Sequence, residues 1–215
     1  MKDIYIVCAG GFGQEVYVIL KTINKKAVSE GKEAPYNIKG FLNDIPVNFD
    51  RSYIGIDIVG DIQNWEPKGN EVYALGLSDP KGKEKIAALL KSKGAKFETI
   101  IAPWSIIPDN ISIGEGCIIS PYLIMPGVKI GNFVNIMGSV VGSQAEIGDY
   151  STITGFANVT NAKIGKRVFV GSHAVIMNQR KIGDDAFICV GSVVFNNVKQ
   201  GQKVFGIPAQ KVDWE

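Results

Sequence analysis

The chain has 215 residues, 46% of them hydrophobic and 20% charged, with 25 glycines and a net charge of +2. That balance supports a buried core in one large domain or two small ones, and it lacks the basic footprint of a nucleic-acid or membrane-surface binder. Three scattered cysteines without a C-x-x-C pair point to a reduced, cytoplasmic protein, and a single histidine excludes a histidine-rich metal site. No apolar run approaches the ~18 residues of a membrane span, and Met1-Lys2-Asp3 leads straight into a strand, so neither a membrane segment nor a signal peptide is expected.

Ile4 to Val7 reads as a first strand, followed by Cys8-Ala9-Gly10-Gly11-Phe12-Gly13 and an amphipathic helix with Val16, Ile19, Leu20 and Ile23 on one face. Strand, glycine turn and helix form a common receiver of nucleotide phosphates, because backbone N–H groups and the helix N-terminus favour negative charge. The glycine spacing is not the full G-x-G-x-x-G, so a tight turn is the other reading. Lys25 to Glu33 is a polar helix end or loop. Ile38 to Leu42 is a second strand ending in Asn43-Asp44, where Asp44 either accepts from a ribose or base or serves the turn. Glu71 to Leu75 is a third strand, closed by Gly76-Leu77-Ser78. Asp79 then caps a helix with Pro80 in its first turn and Ile86, Leu89 and Leu90 buried, and Gly94 ends it. With Phe97 to Ile101 as a fourth strand, residues 1–101 make a Rossmann-like α/β domain.

Beyond the linker Ala102-Pro103-Trp104 the chain becomes periodic. Ile-Gly pairs begin at Ile113, Ile130, Ile147, Ile164 and Ile182, at spacings of 17, 17, 17 and 18. Within each period, aliphatic or Met residues recur every five or six places, as at Ile113, Ile119, Met125, Ile130 and Ile136. Small or compact residues follow four places later, as at Cys117, Ala145, Ala157 and Ala174. This hexapeptide repeat predicts a parallel β-helix over residues 102–215, three hexapeptides per coil. One beat is missed: Gly142, followed by Ser143-Gln144, stands where an apolar residue is due. That break marks either a functional site or an eased corner. After Val194 the period ends. Pro208 within Val204-Phe205-Gly206-Ile207-Pro208-Ala209 predicts a segment that leaves the prism as a cap or arm.

Together these features resemble the sialic acid O-acetyltransferase (NeuD-like) family, which includes N-acetyltransferases of nucleotide-linked 4-amino sugars. The resemblance spans Ile4 to Ala209. It rests on Phe41-Leu42-Asn43-Asp44, Ala74-Leu75-Gly76, Met125-Pro126 and Gly206-Ile207-Pro208-Ala209. It implies a left-handed β-helix, a cytoplasmic homotrimer, acetyl-CoA as co-substrate without a metal, and a nucleotide sugar held by the N-terminal domain. It places substrate contacts at Gly10, Gly11, Phe12, Gly13, Asn43, Asp44 and Gly76, and CoA contacts at Thr152, Ser172, Val190 and Gly191. Lys166, Arg167, Arg180 and Lys181 are candidates for pairing with CoA phosphates.

The chain departs from the family in three places. Cys8 and Phe12 stand where the first loop usually has Gly and His. The family's catalytic His and its acidic partner, four places before an Ile-Gly, are Ser143 and Gln144 here. His173 is then the only imidazole available, either as a stand-in base or as an exposed turn residue. The implied function is transfer of an acetyl group to a nucleotide-linked amino sugar. The alternative is a catalytically impaired homologue that binds a nucleotide sugar or scaffolds a polysaccharide pathway.

Overall fold

In this computed structural model, which describes residues 1–47 and 54–213, the apolar run near the start forms strand β1 (Lys2–Val7), with Ile4, Ile6 and Val7 fully buried. Helix α1 (Gly11–Ser29) follows and packs Val16, Tyr17, Ile19 and Leu20 against Ile4 and Ile6. Strands β2 (Tyr36–Leu42), β3 (Ile58–Gly60) and β4 (Val72–Leu75) complete a parallel four-stranded sheet of order β3-β2-β1-β4. The carboxyl ends of β1 and β4 are therefore neighbours, and such ends border the ligand crevice of open parallel sheets. Helix α2 (Pro80–Ser92) starts as expected, with Asp79 Oδ2 accepting from the Gly82 N–H at 2.6 Å and Pro80 in the first turn. Its buried face is Pro80, Lys83, Ala87 and Leu90, so a lysine occupies the core-facing stripe.

The expected fourth strand of this domain divides in two. Phe97 makes one bridge to Tyr73, while Ile100 and Ile101 (β5, Ile100–Ile101) pair with Ile118 and Ile119 and open the β-helix. The junction therefore falls slightly before residue 102. The fourth sheet position goes to β3, whose exposed Ile58 and Val59 sit at an edge and carry no alternation a strand could be read from.

From β5 onward the chain winds into a three-faced β-solenoid, each face a parallel sheet. Face one contains the strands ending at Ile113, Ile130, Ile147, Ile164 and Ile182. Face two carries Ile119, Ile136, Ile153, Val170 and Ile188, and face three carries Ile124, Val141, Val159, Ile176 and Val194. All of these except Ile113 are buried within one core, and at most of them a small or compact residue two places earlier, such as Cys117, Ala145, Ala157 or Ala174, fills the corner.

Two expectations change. Met125 lies partly exposed, and Ile124 takes the inward place. Gly142 is not a skipped beat, because Val141 is fully buried on face three. The step from Ile136 to Val141 is simply five residues, as it is from Ile119 to Ile124 and from Val159 to Ile164. A corner shortened by one residue keeps the inward alternation and needs no functional excuse.

The corners have their own rule. At most corners one residue turns through the left-handed backbone region, and nine of these are not glycine: Phe133, Gln144, Tyr150, Phe156, Asn161, Arg167, His173, Gln179 and Asp185. Each such conformation costs about 1 kcal/mol or more. Stacking between coils offsets it. The N–H groups of Phe133, Tyr150, Arg167 and Asp185 donate to carbonyls of the coil below at 2.8–2.9 Å, and the Phe133 and Tyr150 rings stack at 5.3 Å.

The C-terminal segment only partly leaves the prism. Lys203–Gly206 continues face two in parallel beside Phe187–Ile188, with Val204 buried. Only then does the chain fold back antiparallel as Ala209–Lys211. Pro208 sits in the turn between those strands, where no ladder N–H is missed.

Candidate active site

The glycine loop builds the first hollow. Gly10 caps α1 without any side-chain hydrogen bond, and no acidic residue lies in the first turn, so the helix end faces outward with its positive pole uncompensated. Gly10, Gly11, Phe12, Asn43, Ile45, Gly76 and Ser78 are among the residues that line a hollow of about 320 Å³ there. Asn43 braces it: Oδ1 accepts from the Ala9 N–H at 2.9 Å, and Nδ2 donates to the Ile45 carbonyl. Cys8 also borders it, with a positive φ of 75°. Burial and the charge of Asp44 push its thiol up to about 12, so it meets a ligand as a neutral group.

Two expected contacts fall elsewhere. Gly13 is buried, and a side chain there would run into the Cys8 carbonyl. Gly76 faces it, with a hypothetical Cβ only 2.6 Å from Gly13 Cα. Gly13 thus serves the close approach of α1 to the sheet and does not line the hollow. Asp44 is committed to the turn after β3, with Oδ1 accepting from the Ile62 and Gln63 N–H groups at 2.6 and 3.2 Å. Its turn role, the second of the two readings, is the observed one.

The first hollow runs into two more. Ser78 also lines a cavity of about 370 Å³ with Asp79, Lys81, Arg167, Phe169 and Phe187, under the start of α2. Phe169 and Phe187, stacked at 4.8 Å, then border a third hollow of about 380 Å³ with Ser172, Val190, Cys189 and Phe205. Through these shared residues the three hollows adjoin in a row, a trough in outline, from the α1 N-terminus to the outside of face two. Of the residues expected along a CoA track, Ser172 and Val190 lie in it. Gly191 turns the adjoining corner at φ 68°. Thr152 does not line it: its side chain is fully buried between the domains. Arg167 is held by Asp185 at 2.7 Å and Glu84 at 3.3 Å, and Lys166 by Asp149 at 3.3 Å, so these cations already have partners.

The burial of Thr152 belongs to a contact that sequence reasoning missed. Lys83 is fully buried, and its Nζ donates to the Phe133 carbonyl at 3.0 Å, the Ser151 carbonyl at 2.9 Å and Thr152 Oγ1 at 2.9 Å. Thr152 Oγ1 donates in turn to the Ser78 carbonyl at 2.7 Å, and Asn135 Nδ2 to the Leu77 carbonyl at 2.8 Å. Burial lowers the Lys83 amine to about 7. The available signal was its register with Pro80, Ala87 and Leu90.

Ser143 and Gln144 are exposed at the corner between faces three and one. Gln144 turns at φ 60°, its N–H donating to the Pro126 carbonyl at 3.1 Å. His173 is exposed at a different corner, between faces two and three. Neither corner lines the trough of the same chain, so the three candidate catalytic positions are not brought together within one copy. Among the described residues, no three His, Cys, Asp or Glu side chains gather where a metal could sit.

No family profile matches the chain. The bifunctional protein GlmU of Streptococcus agalactiae serotype V is 28% identical over 177 residues, covering 71% of this chain but 38% of GlmU; the chain spans well under half of that relative. Among solved structures, the acetyltransferase domain of PglB from Neisseria gonorrhoeae FA1090, in complex with acetyl coenzyme A, matches with a TM-score of 0.80 at 18% identity. That match covers 98% of this chain and 99% of the other. PerB from Caulobacter crescentus, in complex with CoA and GDP-perosamine, also gives 0.80 at 18% identity, covering 99% and 98%. At such identity the likeness is one of fold, and it extends over the α/β unit and the solenoid together.

Proposed function

We propose that this chain is an acetyl-CoA-dependent sugar acetyltransferase acting on the amine of a nucleotide-linked sugar, working in the cytoplasm on precursors of a surface polysaccharide. The observation that carries the reading is the trough. It sets a glycine-lined helix N-terminus, suited to a diphosphate, in line with an apolar hollow on face two lined by Ser172 and Val190. The N-terminal α/β unit serves as a Rossmann-like nucleotide-sugar domain, and the solenoid as a left-handed β-helix. The relatives' bound CoA and GDP-perosamine support the same pairing of ligands.

The chemistry is attack of a neutral amine on the thioester carbonyl, loss of CoA thiolate, and transfer of the amine proton to it through solvent. Ser143 and Gln144 supply no base. An amine can lose its proton unaided near neutral pH, whereas a sugar hydroxyl cannot, and proximity then carries the rate. In this reading the working unit is a homotrimer, as the family resemblance implies, with the Ser143–Gln144 corner facing a neighbouring copy.

The same pair supports a second reading, a homologue that binds a nucleotide sugar without turnover. Light scattering is expected to give about three times the 23.2 kDa chain mass. With acetyl-CoA and a panel of nucleotide-linked sugars, free CoA thiol should appear with amino sugars and not with their hydroxyl counterparts. Failure to bind CoA at all would discard the enzyme reading in favour of the second.

A further inference from the structure

We propose that Thr152 and Asn135, on the outer side of face two, are positioning residues for the nucleotide hollow, acting through the carbonyls of Ser78 and Leu77 and held in place by Lys83. The inference rests on the acceptor reading above.

Outward positions on face two run Ile118, Asn135, Thr152, Phe169, Phe187 and Lys203. Only Asn135 and Thr152 are buried polar groups. Docking alone would be served by apolar residues, as it is beside them by Ile118 and Phe133, which belong to the cores of the α/β unit. Instead the two side chains donate to consecutive carbonyls of a single loop, the one that follows β4 and walls the first hollow. Asn135 does so while its own Oδ1 has no partner.

The loop transmits position without slack. Gly76 donates its N–H to the Val7 carbonyl at 2.8 Å and lies so close to Gly13 that no side chain fits between them. A shift of Leu77 or Ser78 therefore moves the first turn of α1, whose N–H groups face the hollow. The direction of each hydrogen bond is also set. Thr152 has one hydroxyl proton and gives it to Ser78, so its oxygen must receive from Lys83. Two further carbonyl contacts, to Phe133 and Ser151, fix Nζ beside it. The β-helix, nominally the donor-side domain, thereby helps to shape the acceptor site.

The test compares Thr152→Val with Thr152→Ser in the full chain. The readouts are hydrogen exchange over residues 10–14 and 74–79, and calorimetric binding of GDP, UDP, dTDP and CoA. Thr152→Val should speed exchange in both segments and weaken the nucleoside diphosphate that binds wild type by about five- to tenfold, the worth of one net hydrogen bond. CoA affinity should stay within about twofold. Thr152→Ser, which keeps the hydroxyl, should restore wild-type values. Unchanged nucleotide affinity in Thr152→Val, equal weakening of both ligands, or a serine variant as impaired as valine each overturns the inference alone. If wild type binds CoA but none of the three diphosphates, the acceptor reading falls and this inference with it. Should Thr152→Val not fold, Asn135→Leu is read by the same criteria.

Discussion

The His173 imidazole stacks on the Phe156 ring, one coil below at the same corner, with centroids 5.0 Å apart and planes 29° from parallel. Both residues turn through the left-handed region, at φ 60°, and both are exposed. The pair therefore reads as a corner brace, comparable to the Phe133–Tyr150 stack. His173→Ala is expected to lower stability by about 0.5–1.5 kcal/mol in urea unfolding, the worth of an aromatic pair. Acyl transfer should fall by less than about threefold. A loss of ~10²-fold in kcat with CoA and nucleotide binding intact would identify His173 as the base after all.

At the corner between faces three and one, Ser143 and Gln144 are exposed, and Gln144 already holds a backbone that an unbranched Glu can share. Wild-type activity on an amino sugar should rise steeply with pH, because the amine deprotonates unaided. Ser143→His with Gln144→Glu should raise kcat/KM by about 10²-fold and flatten that profile. Steady-state rates across pH decide it; a restored pair that changes neither slope nor rate shows that proton removal is not limiting.

The glycines of the first loop should separate by role. Gly11 has open space around a hypothetical Cβ, so Gly11→Val should leave the melting temperature nearly unchanged and weaken nucleoside diphosphate binding about tenfold or more. Gly13→Ala forces a side chain into the Cys8 carbonyl and should cost ~1–3 kcal/mol of folding stability. Thermal melts paired with calorimetry distinguish the two. A Gly11→Val protein that binds normally would reduce the loop to a turn.

Lys83 predicts a pH dependence of stability. Burial lowers its folded-state value to about 7, while in the unfolded chain a lysine titrates near ~10.4. Between these values the unfolded state holds more protons, so stability increases as pH rises and is lost again as pH falls towards 7. Urea midpoints should climb between about pH 7 and 8.5, below the range where unfolded cysteines ionise fully. Lys83→Met should be less stable overall, since three acceptors lose their donor, but its midpoints should lack that climb. Parallel slopes in the two proteins would show that Lys83 is not the titrating group.

Much of this architecture is legible in the residues. The Ile-Gly spacing identifies the solenoid because one inward aliphatic per strand is a strict packing demand, and Asp79-Pro80 marks α2 because capping is local chemistry. The failures share a cause. Met125 and Gly142 were assigned by counting sixes, yet a corner tolerates five residues, and only the coil above and below decides which side chain turns inward. Ile100 and Ile101 look like any β-run, and nothing local says which sheet they join. Lys83 drew no reading, and Thr152 reads as a CoA contact, because the partners that bury them lie 50 or more positions away in sequence. Asn43 beside the glycine loop follows from strand order, and the turn role of Asp44 is one of its two readings, but which turn it serves depends on β3, which the sequence does not reveal.

The antiparallel strand Ala209–Lys211 lies across the last rung of face two. A stack of parallel rungs otherwise ends in a row of free N–H and C=O groups, an invitation for another molecule to continue the ladder. Here that edge carries a strand running the wrong way, with Gln210 and Lys211 exposed on it. The end of face two is thereby guarded against continuation of its parallel ladder by another molecule.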